Sequence, residues 1–248
     1  MDQRKTSDLL NHSERFLSET QRRWMQPLGS FDSALRRALY GVNWFAMKLL
    51  FRVSVTGREY LPKHGPFIIA PNHASSLDPF VLAAALPYCV LSQTCWAGLE
   101  SSVMRNRLRR FVNRLAHVIP IKRDMRALAV GAAVLKAKRN LVWFPEGTRS
   151  TSGEVQEFKP GIGLLMNHFD VPAIPIYLTN TYENWPPHAY WPKHLRRITI
   201  SFGAPVWPTK PNQSAADSPE RAEAIANEVR DEVAEAKIAA KHDTTVDV

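Results

Sequence analysis

Cysteine is nearly missing from this chain: Cys89 and Cys95 are the only two among 248 residues. Two thiols build no disulfide framework and show no paired metal-ligand spacing, so a reducing compartment and no zinc are expected. The opening Met1-Asp2-Gln3-Arg4-Lys5 is polar and lacks the apolar core of a secretory signal. No segment is apolar enough to cross a bilayer. In the most membrane-like stretch, residues 34–53, the longest charge-free run is Ala38 to Met47, about half of the roughly 20 residues a spanning helix needs. There are no internal repeats, no zinc-finger or aromatic-rich nucleic-acid module, and no Gly-x-Ser-x-Gly elbow to present a nucleophile.

Acidic residues are scarce in one half only. Residues 1–123 hold 18 Lys and Arg against 8 Asp and Glu, while residues 124–248 hold 14 against 15. A basic half beside a neutral one calls for an anionic partner. With no nucleic-acid module in sight, an anionic membrane surface is the expected one.

Short apolar runs alternate with helical patterns. Strands are expected at 53–57, 67–70, 118–121, 140–144, 174–178 and 198–202, with a further one across Cys89 to Cys95. Helices are expected at 80–86, 101–115, 125–138 and from about Pro219 to Lys241, the last with Ala222, Ile225, Val229 and Val233 facing inward and Asp217 and Glu220 at capping-box spacing. This alternation is the α/β pattern, a single domain with a mostly parallel sheet flanked by helices. Residues 1–53 read as an N-terminal arm followed by an amphipathic helix, 54–208 as the core, and 209–248 as a linker and terminal helix.

Within residues 1–30, Leu9, Leu10, Phe16, Leu17, Trp24 and Met25 suggest a weak helix or a mobile arm. In 34–53, Leu35, Leu39, Val42, Ala46, Leu49 and Val53 share one helical face, with Arg37, Lys48 and Arg52 off it and Trp44 and Phe45 interleaved. Basic and aromatic side chains so mixed suit a helix lying in the headgroup layer, or an ordinary helix packed on the domain. Residues 101–115 place Met104, Leu108, Phe111, Val112 and Leu115 on an apolar face and five arginines between 105 and 114. Those arginines read as a solvated face or as contacts to phosphates.

Two motifs carry chemistry. The strand at 67–70 runs into Pro71-Asn72-His73-Ala74-Ser75-Ser76-Leu77-Asp78-Pro79, which puts a histidine at a strand's carboxyl end, where open α/β sheets hold ligands. An acid five residues on can hold one imidazole tautomer, although Asp78-Pro79 is equally a good N-cap and first helical position. The strand at 140–144 delivers Pro145-Glu146-Gly147-Thr148-Arg149-Ser150. Pro-Glu-Gly-Thr-Arg arises by chance in about one in ten thousand such chains.

In this order and spacing the two motifs resemble the glycerolipid acyltransferase family of lysophosphatidic acid acyltransferases. Ile119-Pro120-Ile121-Lys122-Arg123 resembles the family's second block and Val171-Pro172-Ala173-Ile174-Pro175-Ile176 its fourth, so the likeness covers roughly residues 50 to 205. It implies an O-acyltransferase on the cytoplasmic face of a membrane, peripheral or monotopic. The donor would be acyl-CoA or an acyl carrier protein thioester, and the acceptor a lysophospholipid, first of all 1-acylglycerol-3-phosphate. No metal or redox cofactor is implied, and no nucleic acid.

His73 suits the general base, worth about 10²–10⁴-fold, with Asp78 orienting it. Ser75 and Ser76 read as turn residues, so direct attack by the acceptor is expected, without an acyl-enzyme. Arg123, Glu146, Gly147, Thr148 and Arg149 are implied to hold the acceptor's phosphate and position it, with Lys159 a further cation. On residue type alone Arg149 and Lys159 are also ordinary surface charges, and Glu146 a capping carboxylate. The fourth block is implied to bind the donor and reads equally as core.

The chain departs from the family at His117, where the second block has glycine, and at Ala97-Gly98-Leu99-Glu100, where lysines are common. With the Phe158-Lys159-Pro160-Gly161-Ile162-Gly163 run, these differences look more like the branch also fused to acyl-activating enzymes. That leaves glycerol-3-phosphate or a zwitterionic lysolipid as other acceptors, and a thioester hydrolase as another activity.

Overall fold

The computed structural model describes residues 3–208 and 218–244. Along the chain run α1 (Gln3–Asn11), α2 (Ser13–Phe16), α3 (Glu19–Met25), α4 (Ser30–Phe51), β1 (Ser54–Thr56), β2 (Ile68–Pro71), α5 (Asp78–Ala85), α6 (Tyr88–Ser92), β3 (Thr94–Leu99) and α7 (Glu100–Val103). There follow α8 (Arg107–Leu115), β4 (Val118–Ile121), α9 (Arg126–Lys136), β5 (Asn140–Val142), α10 (Gly161–Phe169), β6 (Ala173–Leu178), α11 (Thr181–Asn184), β7 (Thr199–Phe202) and α12 (Pro219–Thr244).

The strands form one sheet in the order β1-β7-β6-β2-β5-β3-β4. All pairs are parallel except β6 with β7. The carboxyl ends of β2, β3, β4, β5 and β6 therefore share one edge. The inner strands are buried on both faces, which is why they read as continuous apolar runs. Ile68 and Ala70 face a core built with α9, α10 and α12. Phe67 and Ile69 face a second core with α5 and the end of α4. Successive side chains of one strand thus feed two cores.

Two helices are defined by their smallest residues. Every residue of α9 from Leu128 to Leu135 is buried, because α1 and α2 cover the side that the sheet leaves open. At Gly163 in α10 an added Cβ would stand 2.0 Å from the Ala222 carbonyl oxygen, so only glycine lets α10 and α12 approach this closely. The inward row expected for α12, Ala222, Ile225, Val229 and Val233, is buried throughout. Its first turn is capped by the Ser218 hydroxyl, which accepts from the Arg221 N–H. Asp217, the expected cap, and residues 209–216 of the expected linker lie outside the described residues.

Several expectations are corrected. Residues 3–25 are three short helices that bury Leu9, Leu10, Leu17 and Trp24, not one weak helix. The strand expected across Cys89 to Cys95 is α6 followed by β3, because Pro87 opens a helical turn before the chain extends. Residues 101–115 are broken at 104–106, where Asn106 caps α8 through the Arg109 N–H.

Which way two helices face is left open by the sequence. In α4 the inward side carries Arg36, Tyr40, Asn43, Met47 and Phe51, and its polar groups donate to the carbonyls of Leu91, Ser92, Leu86 and Phe80. Val42 and Leu49, on the expected apolar face, are 67% and 66% exposed rather than packed on the domain, beside exposed Phe45. In α8 only Leu115 of the expected apolar face is buried, and Leu108 is 72% exposed. Among the described residues no helix is long and apolar enough to cross a membrane.

Candidate active site

Asn72 follows β2 and is locked to β6, its side-chain oxygen accepting from the Leu178 N–H at 2.8 Å. That lock sets the direction in which the next residue leaves the sheet. His73 then turns its Nδ1 to Asp78 Oδ2 at 2.7 Å and lays its ring against Phe144, with centroids 4.1 Å apart. Asp78 is fully buried, and the same Oδ2 accepts from the Ala74 and Ser75 N–H groups at 2.8 Å each.

Asp78 is the first residue inside α5 rather than its N-cap, which is Leu77. Its carboxylate turns back into the loop instead of capping the helix. A carboxylate only accepts, so His73 Nδ1 carries the proton and Nε2 is left with its lone pair. The imidazole is 20% exposed, enough for Nε2 to meet a small group.

The second motif arrives from β5, the neighbour of β2. Glu146 is buried, and its Oε1 accepts from the His73 backbone N–H at 2.9 Å. The Ser150 N–H donates to the His73 carbonyl at 2.7 Å. Arg149 Nη1 donates to Ser76 Oγ at 2.6 Å. Three hydrogen bonds therefore join two loops far apart in sequence. Burial pushes the Glu146 carboxyl above the usual carboxylate range, against the pull of the His73 N–H and Gln156.

Gly147 takes a left-handed backbone with φ of 74°, and a Cβ there would stand 3.0 Å from the end of the Lys159 side chain. Glycine is needed for both reasons. Thr148 contributes its carbonyl, which accepts from Gln156 Nε2 at 3.1 Å. Lys159 is exposed, its backbone tied to the Pro145 carbonyl.

Arg123 stands apart. It lies two residues past β4, a strand three spacings from β2, or roughly 14 Å at about 4.8 Å each. There it lines an open cavity with Leu99, Glu100, Ser101, Ile121 and Lys122. Among the described residues no three His, Cys, Asp or Glu side chains gather as a metal site would require.

Two contributors escaped the sequence. Gln156 donates to Glu146 Oε2 at 2.6 Å and so holds the far side of the carboxylate that holds His73. Ser75, read only as a turn residue, is fully buried and donates to the Trp185 carbonyl at 2.6 Å while accepting from Leu77 N–H. No spacing rule marks Gln156, since its partner is ten residues away across an irregular loop. His117 is structural. It is buried at φ 55°, its Nδ1 lies 3.2 Å from the Trp24 carbonyl, and burial beside Arg139 pushes it down to about 3.

Comparison with known proteins places the chain among acyltransferases. The family model described as acyltransferase matches residues 52–179. The 1-acyl-sn-glycerol-3-phosphate acyltransferase alpha of Mus musculus is 30% identical over 187 residues, covering 72% of this chain and 61% of that protein. The 1-acyl-sn-glycerol-3-phosphate acyltransferase of Borreliella burgdorferi is 29% identical over 137 residues, 52% of each chain. The crystal structure of the 1-acyl-sn-glycerophosphate (LPA) acyltransferase from Thermotoga maritima has a TM-score of 0.57 at 21% identity, covering 91% of this chain and 90% of that one. At that identity the likeness is one of fold. The chain spans 61% of the length of the mouse protein it matches.

Proposed function

Because this chain belongs to the acyltransferase family, whose model covers its residues 52–179, we propose that it moves a fatty acyl group from a thioester to the free hydroxyl of 1-acylglycerol-3-phosphate, giving phosphatidic acid. The observation that carries this reading is the 2.7 Å contact between His73 Nδ1 and Asp78 Oδ2. It leaves Nε2 as the one basic nitrogen facing the cleft.

The acceptor hydroxyl gives its proton to His73 Nε2 as its oxygen attacks the thioester carbonyl. Asp78 stabilises the transient imidazolium. The tetrahedral intermediate collapses to the new ester, and the departing thiolate takes the proton back from Nε2. No enzyme nucleophile is needed. Ser75 is committed to the Trp185 carbonyl and Ser76 to Arg149.

In this acceptor the phosphate sits on the carbon next to the one bearing the hydroxyl. Arg149, already bonded into the His73 loop, is the cation at that range, with Lys159 beside Gly147 as a second. A charge-assisted contact of this kind is worth about 1.5–3 kcal/mol. Arg123, beyond the end of β4, is a further cation for a phosphate on either substrate. Glu146 acts through the His73 loop, as a positioning residue.

The donor is acyl-CoA or acyl carrier protein, and the enzyme works as a peripheral protein on the cytoplasmic face of an anionic membrane. The exposed Val42, Phe45 and Leu49 of α4 and Leu108 of α8 support that site of action. Assaying one labelled donor of each type against lysophosphatidic acid, glycerol-3-phosphate and lysophosphatidylcholine tests the assignment. Lysophosphatidic acid should turn over fastest. Thioester loss that needs no acceptor would overturn it in favour of a hydrolase.

A further inference from the structure

Between α11 and β7 lies a loop, Trp185-Pro186-Pro187-His188-Ala189-Tyr190-Trp191-Pro192-Lys193-His194-Leu195-Arg196-Arg197. Its Tyr190 is 92% exposed, its Trp191 79% and its Leu195 51%. Rings of this size normally bury most of their surface, and here three large apolar side chains within six residues stand in water.

The exposure is built in. Asn184, fully buried, accepts from the Arg196 N–H at 2.8 Å and donates to the Arg196 carbonyl at 2.9 Å, while its own carbonyl accepts from Lys193 N–H at 2.7 Å. Trp185 Nε1 donates to the Ala189 carbonyl at 2.9 Å. Both ends of the loop are fastened from beneath, so the rings cannot fold down onto the body.

Charge and position point the same way. From Glu183 to Asp217 the chain carries no acidic residue, while Lys193, Arg196 and Arg197 punctuate the aromatic segment. The loop leaves the protein at the edge of the sheet that holds the His73 cleft. Ser75, two residues after His73, donates to the carbonyl of Trp185 at the loop's base. Arg52, just past α4, reaches the Leu195 carbonyl at 3.4 Å, so the loop adjoins the end of the helix that exposes Phe45 and Leu49.

We propose that residues 188–197 form a second membrane contact, with Tyr190, Trp191 and Leu195 entering the headgroup layer and the flanking cations meeting anionic phospholipid. Tyrosine and tryptophan interleaved with Lys and Arg is the composition of an interfacial anchor. Through the Ser75–Trp185 hydrogen bond the loop sets the cleft at the bilayer surface, where a lipid acceptor resides. This rests on the peripheral-membrane reading above and names the element that orients the cleft.

The test compares sedimentation of the full chain with vesicles of phosphatidylcholine alone and of phosphatidylcholine mixed with phosphatidylglycerol. Wild type should bind the anionic vesicles more tightly. The double variant Tyr190→Ser/Trp191→Ser should lose about tenfold or more in affinity for them, as expected for two interfacial aromatics. It should keep its Tm and its rate on a short-chain acceptor dissolved below aggregation. Arg196→Gln with Lys193→Gln should weaken anionic-vesicle binding and leave phosphatidylcholine binding unchanged. A loop variant that binds like wild type overturns the loop assignment while leaving the peripheral reading intact. Wild type that binds neither vesicle overturns both. Unchanged vesicle binding with weakened affinity for acyl carrier protein would make the loop a protein-docking surface instead.

Discussion

Asp78 and Glu146 are acids sealed inside the protein, whereas Val42, Phe45 and Leu49 are apolar side chains left in water. Both depart from the usual sorting of polar groups outward and apolar groups inward, yet they are resolved differently. Around His73 the loops supply the partners: three N–H donors converge on Asp78 Oδ2 and Glu146 is held at both oxygens. On the outer face of α4 none of the described residues covers the apolar groups. Buried polarity here is satisfied internally at Asp78 Oδ2 and at both Glu146 oxygens, with Asp78 Oδ1 left unpaired, and it serves position; exposed apolarity asks for a surface outside the chain. The two regions should therefore fail separately.

His73→Ala gives the largest expected effect. Turnover should fall by about 10²–10⁴-fold, with vesicle binding unchanged and Tm only modestly lowered, because two of the three hydrogen bonds that join the loops use the backbone of residue 73 and Asp78 Oδ2 keeps the Ala74 and Ser75 N–H donors. Wild-type rates in that variant would remove His73 from the chemistry. Phe45→Asp with Leu49→Asp should do the reverse. Vesicle affinity should drop by about a hundredfold, since burying each such side chain is worth roughly 1.5–3 kcal/mol. Turnover of a dissolved short-chain acceptor should hold. A large loss of Tm would instead place that face against the protein.

Arg149→Ala should raise the acceptor KM by about tenfold or more, from the loss of roughly 1.5–3 kcal/mol, and leave the donor KM nearly alone. Equal changes in both would contradict a role at the acceptor phosphate. Gln156→Leu should cost about 1–3 kcal/mol of stability by orphaning a buried carboxylate oxygen, lower kcat and raise the Glu146 pKa further. A variant with wild-type kcat and Tm would show that Glu146 needs no second partner.

The smallest effect concerns pH. His117 is held at about 3 in the folded protein, against 6.5 unfolded. Below 6.5 the unfolded chain takes up a proton that the folded one refuses. The stability present above 6.5 is therefore lost as pH falls toward 3, by about 1.4 kcal/mol at about pH 5.5. Urea unfolding of His117→Asn, a residue that tolerates the left-handed backbone, should lose this slope between about pH 6.5 and 5.5. Identical slopes in both proteins would assign the acid sensitivity elsewhere.

Most strands were legible because a strand buried on both faces is a short apolar run whatever surrounds it. β4 matches its expected bounds of Val118–Ile121, and the inward row of α12 follows from period alone. The Cys89 to Cys95 segment was not legible, since a short apolar run does not distinguish a helical turn from a strand. What lies against the apolar stripes of α4 and α8 stayed open for a different reason. Periodicity finds an apolar stripe but carries no information on whether protein or water lies opposite it.

What this sequence determined unaided is the set of candidate groups and the strand ends that deliver them: His73, Asp78, Glu146 and Arg149 are local in their motifs, and local chemistry is written in neighbouring residues. Tertiary structure alone decided that β2 and β5 lie side by side, that Gln156 backs Glu146, that Arg123 stands three strands away, and that α4 and the 188–197 loop turn their apolar side outward. Those outcomes depend on contacts between segments far apart in the chain. Which pairing prevails is settled by the total of burial and hydrogen bonding over the whole fold, not by any one stretch of it.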